Sequence, residues 1–69
     1  MKYQRLHDLR IDRDLKQENL AAYLNVNQPT YSKYERGELP LTAELLIMLA
    51  DFYDVSVDYI LGRSDIKKI

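Results

Sequence analysis

Between Asn27 and Gly37 the sequence places several side chains that can donate or accept hydrogen bonds on one side of a short helix. The apolar bodies of Tyr31 and Tyr34 must turn toward the rest of the protein, which leaves the polar residues facing outward. A glutamine amide pairs with adenine N6 and N7, lysine donates to guanine O6 and N7, and proline or a threonine methyl touches a thymine methyl. Four residues are therefore candidate readers of base edges: Gln28, Pro29, Thr30 and Lys33. The alternative is an ordinary solvated helix face.

Two helices joined by a tight turn would position these side chains. Apolar spacing predicts one helix over Gln17–Leu24 and a second over Gln28–Arg36. Asn25 tolerates the left-handed backbone that reverses the chain, Asn27 can cap the second helix, and Gly37 can end it. A helix with a polar outer face, set directly after such a turn, is the arrangement that enters the major groove of DNA.

Three further helices complete a predicted all-α domain of five helices. Helix 1 is expected to span Tyr3 to Arg13. Helix 4 is expected to begin after the cap residue Thr42 and to end near Tyr53, and helix 5 to begin after the cap residue Ser56 and to end near Leu61. The valines near the end of the chain are too isolated to form a sheet, so no strand is expected.

Composition argues against several classes of function. The chain has 69 residues and no cysteine, which fits one small domain without a disulfide or a thiolate metal site. The single histidine, His7, has no catalytic partner, and Asp8 and Asp12 are typical of a solvated helix face. We therefore expect no enzymatic activity and no cofactor. The apolar run 45–50 is too short to cross a bilayer and no signal-peptide pattern is present, so we expect a cytoplasmic protein.

Charge is unevenly distributed along the chain. The net charge is −1 at pH 7, whereas DNA-binding domains are often markedly basic. Residues 1–37 carry seven Lys/Arg and five Asp/Glu, whereas residues 38–69 carry three and six. The positive excess therefore lies in the half that holds the two central helices. A weak overall field predicts modest non-specific affinity, so tight DNA binding would depend on specific contacts and dimerisation.

Four segments of the chain match, in order and spacing, the helices of a known family. They are RLHDLR at residues 5–10, LKQENLAAYLNV at 15–26, YSKYERGE at 31–38 and LLIMLADFYDVSVDYILG at 45–62. Together they resemble the Cro/CI-type, or Xre-like, helix-turn-helix family over nearly the whole chain. The resemblance implies a compact lambda-repressor-like bundle and a small sequence-specific transcriptional regulator, of repressor type, that reads the major groove with helix 3.

The resemblance also implies roles near the DNA backbone. Gln17 matches a glutamine that lies, with the N-terminus of helix 2, against a phosphate. Arg10 and Glu35 match a partly buried ion pair whose arginine lies near phosphate; the alternative is two ordinary surface charges. The full set of expected phosphate contacts is Arg10, Lys16, Gln17, Asn27 and Arg36.

Departures from the family pattern bear on stability. Asp14, Asn25 and Asp54 occupy helix-ending positions where the family has glycine, and these residue types adopt the left-handed conformation with some strain. Lys16 stands where serine, threonine or asparagine commonly caps helix 2. This weakens the cap but places a cation beside the expected phosphate.

We expect a homodimer that binds a palindromic operator. One copy would bury little DNA surface, whereas a two-fold dimer presents two reading helices to half-sites about 34 Å apart. The family often pairs through helix 5 and the segment after it, so the predicted contact residues are Val57, Tyr59, Ile60 and Ile66. The DNA-binding domain is expected to span residues 1–63, with the tail 64–69 either disordered or part of the dimer contact.

The sequence is also compatible with two other functions. The same DNA-binding unit could serve an antitoxin or a restriction-system controller, which also answers to a protein partner. A neighbouring toxin or endonuclease gene would identify it. A module that has lost DNA binding and retains only protein interaction would leave the mobility of its own upstream DNA unchanged at low salt.

Overall fold

A computed structural model describes residues 3–67, and within them the chain forms five α-helices. They are α1 (Gln4–Asp12), α2 (Gln17–Leu24), α3 (Gln28–Arg36), α4 (Ala43–Tyr53) and α5 (Val57–Ile60). This part of the chain contains no strand, which confirms the all-α fold class. The predicted bounds of α2 and α3 are correct, whereas α1 is one residue shorter than predicted at each end.

Side-chain caps begin three of the helices at the predicted residues. In each case an oxygen accepts a hydrogen bond from a backbone amide three residues later, which satisfies one of the free amides of the first turn. The accepting atoms are Asn27 Oδ1 (2.9 Å), Thr42 Oγ1 (3.2 Å) and Ser56 Oγ (3.0 Å). Local chemistry therefore sets where α3, α4 and α5 begin.

The start of α2 is stabilised differently. The Lys16 side chain makes no capping hydrogen bond, as its residue type requires. Oδ1 of Asn19 instead accepts from the Lys16 backbone amide at 2.8 Å. This is the return half of a capping box, and it does not depend on a polar side chain at the cap position. Asn19 therefore offsets part of the weakness predicted for this cap.

Three helices end beside a non-glycine residue in the left-handed conformation, as predicted. The φ angles are 56° at Asp14, 60° at Asn25 and 56° at Asp54. At the end of α2, the Val26 amide donates to the Ala21 carbonyl at 2.9 Å, which closes the helix and starts the turn toward α3. These reversals let short helices fold back on one another without long loops.

The core lies where the apolar faces of the five helices meet. Its buried members are Leu6, Leu9, Leu20, Ala21, Leu24, Tyr31, Leu49, Ala50, Tyr53 and Ile60. α2 packs mainly against α3, and α1 packs against both α3 and α5. The core thus fixes α3 from one side only. In the described part of the chain, no helix is both long and apolar enough to cross a membrane.

The segment after α5 returns to α1 and is held there by Arg5. Nη1 of Arg5 donates to the carbonyls of Tyr59 (3.0 Å) and Ser64 (2.5 Å), and Nη2 donates to Asp65 Oδ1 at 2.6 Å. The guanidinium also stacks 4.2 Å above the Tyr59 ring. Ser56 donates to the carbonyls of Ile66 and Lys67 through its hydroxyl and its backbone amide, respectively. Residues 64–67 of the predicted tail therefore have defined contacts, while residues 68 and 69 lie outside the described part of the chain.

Candidate nucleic-acid interface

The inner side of α3 is fully buried and its outer side is open to solvent. Tyr31 and Glu35 have no exposed surface and face α1 and α2. Three of the four candidate base readers are exposed: Pro29 and Lys33 on the opposite side, and Gln28 at the first residue of the helix. The fourth, Thr30, is half-buried at the edge. The structure thus brings the four residues to the first two turns of α3, with no other part of the described chain covering the exposed three.

A buried ion pair attaches α3 to α1. Nε and Nη2 of Arg10 donate to the two carboxylate oxygens of Glu35, at 2.8 and 3.3 Å, and Nη1 donates to the Leu15 carbonyl at 3.1 Å. The Arg10 side chain is 10% exposed and that of Glu35 is 0% exposed. The hydrogen-bonded carboxylate raises the pKa of Arg10 above its usual value, so the guanidinium stays charged. These are not ordinary surface charges.

Gln17 joins the same network from α2. Its Nε2 donates to Glu35 Oε1 at 3.4 Å, so the Glu35 carboxylate links α1, α2 and α3. The side chain of Gln17 is half-buried at the first residue of α2. An amide nitrogen carries two N–H groups, so one remains available to a phosphate at this helix end. The phosphate contact of Arg10 itself would have to use the small exposed part of its guanidinium.

Two tyrosines surround the buried pair. Burial raises the pKa of Tyr31, and the nearby Glu35 carboxylate raises it further. Burial likewise raises the pKa of Tyr53 to about 12, with a contribution from Glu35 in the same direction. Both phenols are therefore neutral wherever the protein is folded at ordinary pH. Arg10 and Glu35 carry the charges at the centre of this network.

The remaining predicted phosphate contacts lie at helix starts or ends. Lys16 and Asn27 are exposed at the residues preceding α2 and α3. Oδ1 of Asn27 is engaged as the cap of α3, which leaves its amide nitrogen as the group that could donate to a phosphate. Arg36 is exposed at the last residue of α3, where it contacts Glu38 and Ser32. The sequence analysis predicted no role for Glu38 or Ser32.

The predicted dimer contact needs one correction. Ile60 is 2% exposed and belongs to the core, because its side chain points back toward the other helices at the end of the one-turn helix α5. It has no surface to offer a second subunit. Val57 and Tyr59 are half-buried, and Ile66 is 70% exposed. Leu61, at the C-terminal end of α5, is 37% exposed.

Comparison with known proteins agrees with this geometry. The helix-turn-helix family model HTH_3 matches residues 6–60. The chain is 42% identical over 62 residues to YobD, an uncharacterised HTH-type transcriptional regulator of Bacillus subtilis, covering 90% of this chain and 55% of that one. It is 36% identical over 61 residues to RstR, the cryptic phage CTXphi transcriptional repressor from Vibrio cholerae, covering 88% of this chain and 55% of that one. The chain therefore spans little more than half the length of these curated relatives.

A solved structure extends the likeness to the whole fold. The P22 c2 repressor protein, crystallised in complex with the synthetic operator 9T, superposes with a TM-score of 0.80 at 25% identity, covering 93% of this chain and 97% of that one. The matched family model spans most of the chain and includes every residue of α2 and α3. The chain therefore belongs to the Cro/CI-type, or Xre-like, helix-turn-helix family, a family of DNA-binding transcriptional regulators and not of enzymes.

Proposed function

We propose that this chain binds double-stranded DNA sequence-specifically as a homodimer, inserts α3 into the major groove, and represses transcription by covering a promoter. The observation that carries the proposal is the exposure of Gln28 at the N-terminal end of α3 and of Pro29 and Lys33 on its outer side, while Tyr31 and Glu35 anchor the inner side. The similarity to a repressor whose structure was solved in complex with its operator supports the same proposal. The modest positive excess around α2 and α3 favours specific contacts over general electrostatic attraction.

The proposed contacts divide into two groups. Base edges are read by Gln28, Pro29, Thr30 and Lys33, and the DNA backbone is held by Lys16, Gln17, Asn27 and the exposed edge of Arg10. Arg36, predicted as a phosphate contact, is exposed on the same side of α3 as Pro29 and Lys33 and can reach either a phosphate or a base. Base contacts discriminate between sequences, whereas phosphate contacts weaken or strengthen binding to all sequences alike. The two groups can therefore be separated by measuring affinity for several sequences instead of one.

The proposed dimer pairs through the surface around α5. Val57, Tyr59, Leu61 and Ile66 offer apolar area there, and Arg5 holds the segment that carries Ile66 against α1. A two-fold axis through this surface would direct two copies of α3 toward the same face of a duplex, one helical turn apart. Such an operator would be palindromic.

Selection of bound duplexes from a random pool tests the proposal. We expect a palindromic motif whose half-sites are centred about 34 Å apart, and a protein–DNA stoichiometry of two to one. Enrichment of a single half-site would overturn the homodimer. Failure to enrich any motif at low salt would overturn DNA binding and favour a protein-interaction module. Co-purification of a toxin or endonuclease encoded next to the gene would instead identify an antitoxin or a restriction-system controller.

Two matched variants then separate base readers from backbone contacts. Lys33→Ala should relax discrimination at one base position by about 1 to 3 kcal/mol, because a lysine donates to guanine acceptors. Gln17→Ala should weaken binding to the selected site and to scrambled duplexes by the same factor, because it holds a phosphate. An unchanged specificity profile for Lys33→Ala, or a sequence-dependent loss for Gln17→Ala, would contradict the assigned roles.

A further inference from the structure

Arg36 occupies the middle of the outer side of α3. With 3.6 residues per turn, it lies between Ser32 and Lys33 when the helix is viewed along its axis. Its side chain is 46% exposed, and α3 presents it on the same side as the candidate base readers Pro29 and Lys33. Position alone therefore permits a contact either to a phosphate at the groove edge or to a base within the groove.

Two neighbours hold the guanidinium in one orientation. Nη1 of Arg36 donates to Ser32 Oγ at 2.6 Å, and Nε donates to Glu38 Oε2. Because Ser32 lies one turn earlier, the guanidinium is drawn back along α3 rather than out past the end of the helix. A guanidinium carries five N–H groups, so three remain free, including both on Nη2.

The charge of Arg36 is balanced by Glu38. The arginine beside it lowers the pKa of Glu38, and the carboxylate raises the pKa of Arg36, so both groups are ionised at neutral pH. A phosphate approaching this pair would meet the negative carboxylate as well as the guanidinium, which reduces the net attraction. The acceptors O6 and N7 of guanine carry no full charge and are matched by two parallel N–H groups.

Resting on the DNA-binding function proposed above, we infer that Arg36 reads a guanine in the major groove and does not hold a phosphate. Ser32 and Glu38 are positioning residues that keep its free N–H groups aimed at the base. A guanidinium that is already oriented loses less conformational entropy on binding than a mobile side chain does. Recognition of this guanine therefore depends on three residues in the C-terminal half of α3 and the turn after it: Ser32, Arg36 and Glu38.

Replacing single guanines of the selected operator by 7-deazaguanine tests this assignment, because the analogue lacks only the N7 acceptor. The wild-type protein should lose about tenfold in affinity at the guanine that Arg36 contacts. The double variant R36A/E38A keeps the net charge constant and should bind the unmodified operator more weakly. Its affinity should not fall further when that one guanine is replaced by 7-deazaguanine. Losses at guanines read by Lys33 should be the same in both proteins, which provides the internal control.

Two results would overturn the inference. If R36A/E38A keeps the full wild-type pattern of 7-deazaguanine losses, Arg36 reads no guanine. If it weakens binding to all duplexes by one common factor, Arg36 is a phosphate contact. Both results are obtained on an operator that the wild-type protein selects, so they leave sequence-specific DNA binding intact and are distinct from its failure.

A second variant tests the positioning role of Glu38. E38Q retains a hydrogen-bond acceptor but removes the charge that fixes the Nε group of Arg36. We expect it to reduce the loss at the same guanine from about tenfold to about threefold while the pattern at every other base is unchanged. A uniform gain in affinity with an unchanged pattern would mean that Glu38 only repels DNA, and the positioning role would be wrong.

Discussion

α3 carries an arginine–carboxylate ion pair on each of its two sides, and the two pairs differ chiefly in burial. Arg10 and Glu35 are bidentate and almost completely removed from water, whereas Arg36 and Glu38 are each about half exposed. Charge and chemical type are the same. The inner pair ties α3 to α1 through a network that also includes Gln17, and the outer pair leaves N–H groups free toward solvent.

The comparison indicates what burial does to an ion pair. In a low-dielectric interior an unmatched charge is costly, so neither member of the inner pair can be removed alone. At the surface, water replaces a lost partner and salt screens the attraction, so the outer pair adds little to folding. The inner pair therefore orients the reading helix, while the outer pair is available for recognition.

The largest effect is expected from breaking the inner pair. Glu35→Leu leaves the Arg10 guanidinium buried without its carboxylate, and should lower the free energy of unfolding by about 3 to 5 kcal/mol. Urea denaturation measures the change. The double variant R10M/E35L should recover part of the loss because no charge is left unpaired. A single-variant loss below about 1 kcal/mol would mean that this pair behaves like a surface pair.

Alkaline pH should destabilise the core around the inner pair. Tyrosine in an unfolded chain has a pKa near 10, whereas that of Tyr53 is about 12 in the folded protein. Below pH 10 the phenol is neutral in both states and its contribution is intact. Between these values the unfolded state releases a proton that the folded state retains, so the free energy of unfolding falls with rising pH. Tyr53 alone contributes a fall of about 2 to 3 kcal/mol.

The comparison variant for this titration is Tyr53→Phe, which keeps the buried ring and removes the ionisable hydroxyl. We expect a smaller fall in stability above pH 10, measured by urea denaturation at several pH values. Tyr31, whose pKa is also raised, would account for part of the fall that remains. Identical pH dependence in the two proteins would contradict the raised pKa of Tyr53.

An intermediate effect is expected at the cap of α3. Asn27 is exposed, like the outer pair, but its Oδ1 accepts a backbone amide that would otherwise lack an intrahelical partner. Asn27→Ala should cost about 1 kcal/mol in thermal or urea denaturation, and Asn27→Ser should restore most of it. If the alanine variant is as stable as the wild type, the hydrogen bond of the exposed Asn27 side chain adds nothing to the free energy of unfolding.

The smallest effect on folding is expected from the outer pair. R36A/E38A should leave the midpoint of urea denaturation unchanged, because both side chains are solvated in the folded state. The same variant is expected to lose specific DNA affinity. A protein that unfolds more readily after this change would show that the outer pair supports α3, and the assignment of the two sides would need revision.

Local rules predicted most of the fold. The bounds of α2 and α3 follow from an asparagine that accepts the left-handed backbone, an N-cap asparagine and a terminating glycine, all within a short stretch of sequence. The caps at Thr42 and Ser56 were predicted for the same reason. Each depends on residues three or four positions apart, and such relations are visible without a structure.

Contacts between distant parts of the chain could not be predicted in the same way. Arg5 donates to residues 54 to 60 positions later in the sequence, and nothing near Arg5 indicates this. Ile60 was assigned to the dimer contact because the family often pairs through helix 5, and only packing against the other helices shows that it points inward. Ser32 and Glu38 were missed because a contact to Arg36 depends on the rotamer that a long side chain adopts.

Asn25 has a mechanical consequence for the angle between α2 and α3. A glycine at this position would allow the same left-handed turn and a wider range of backbone angles, because it lacks the Cβ that restricts asparagine. Asparagine leaves the joint between the two helices fewer backbone angles to adopt than glycine would, at the cost of some strain. Such a joint resists the small rotations by which a reading helix would otherwise adapt to a poorly matched groove.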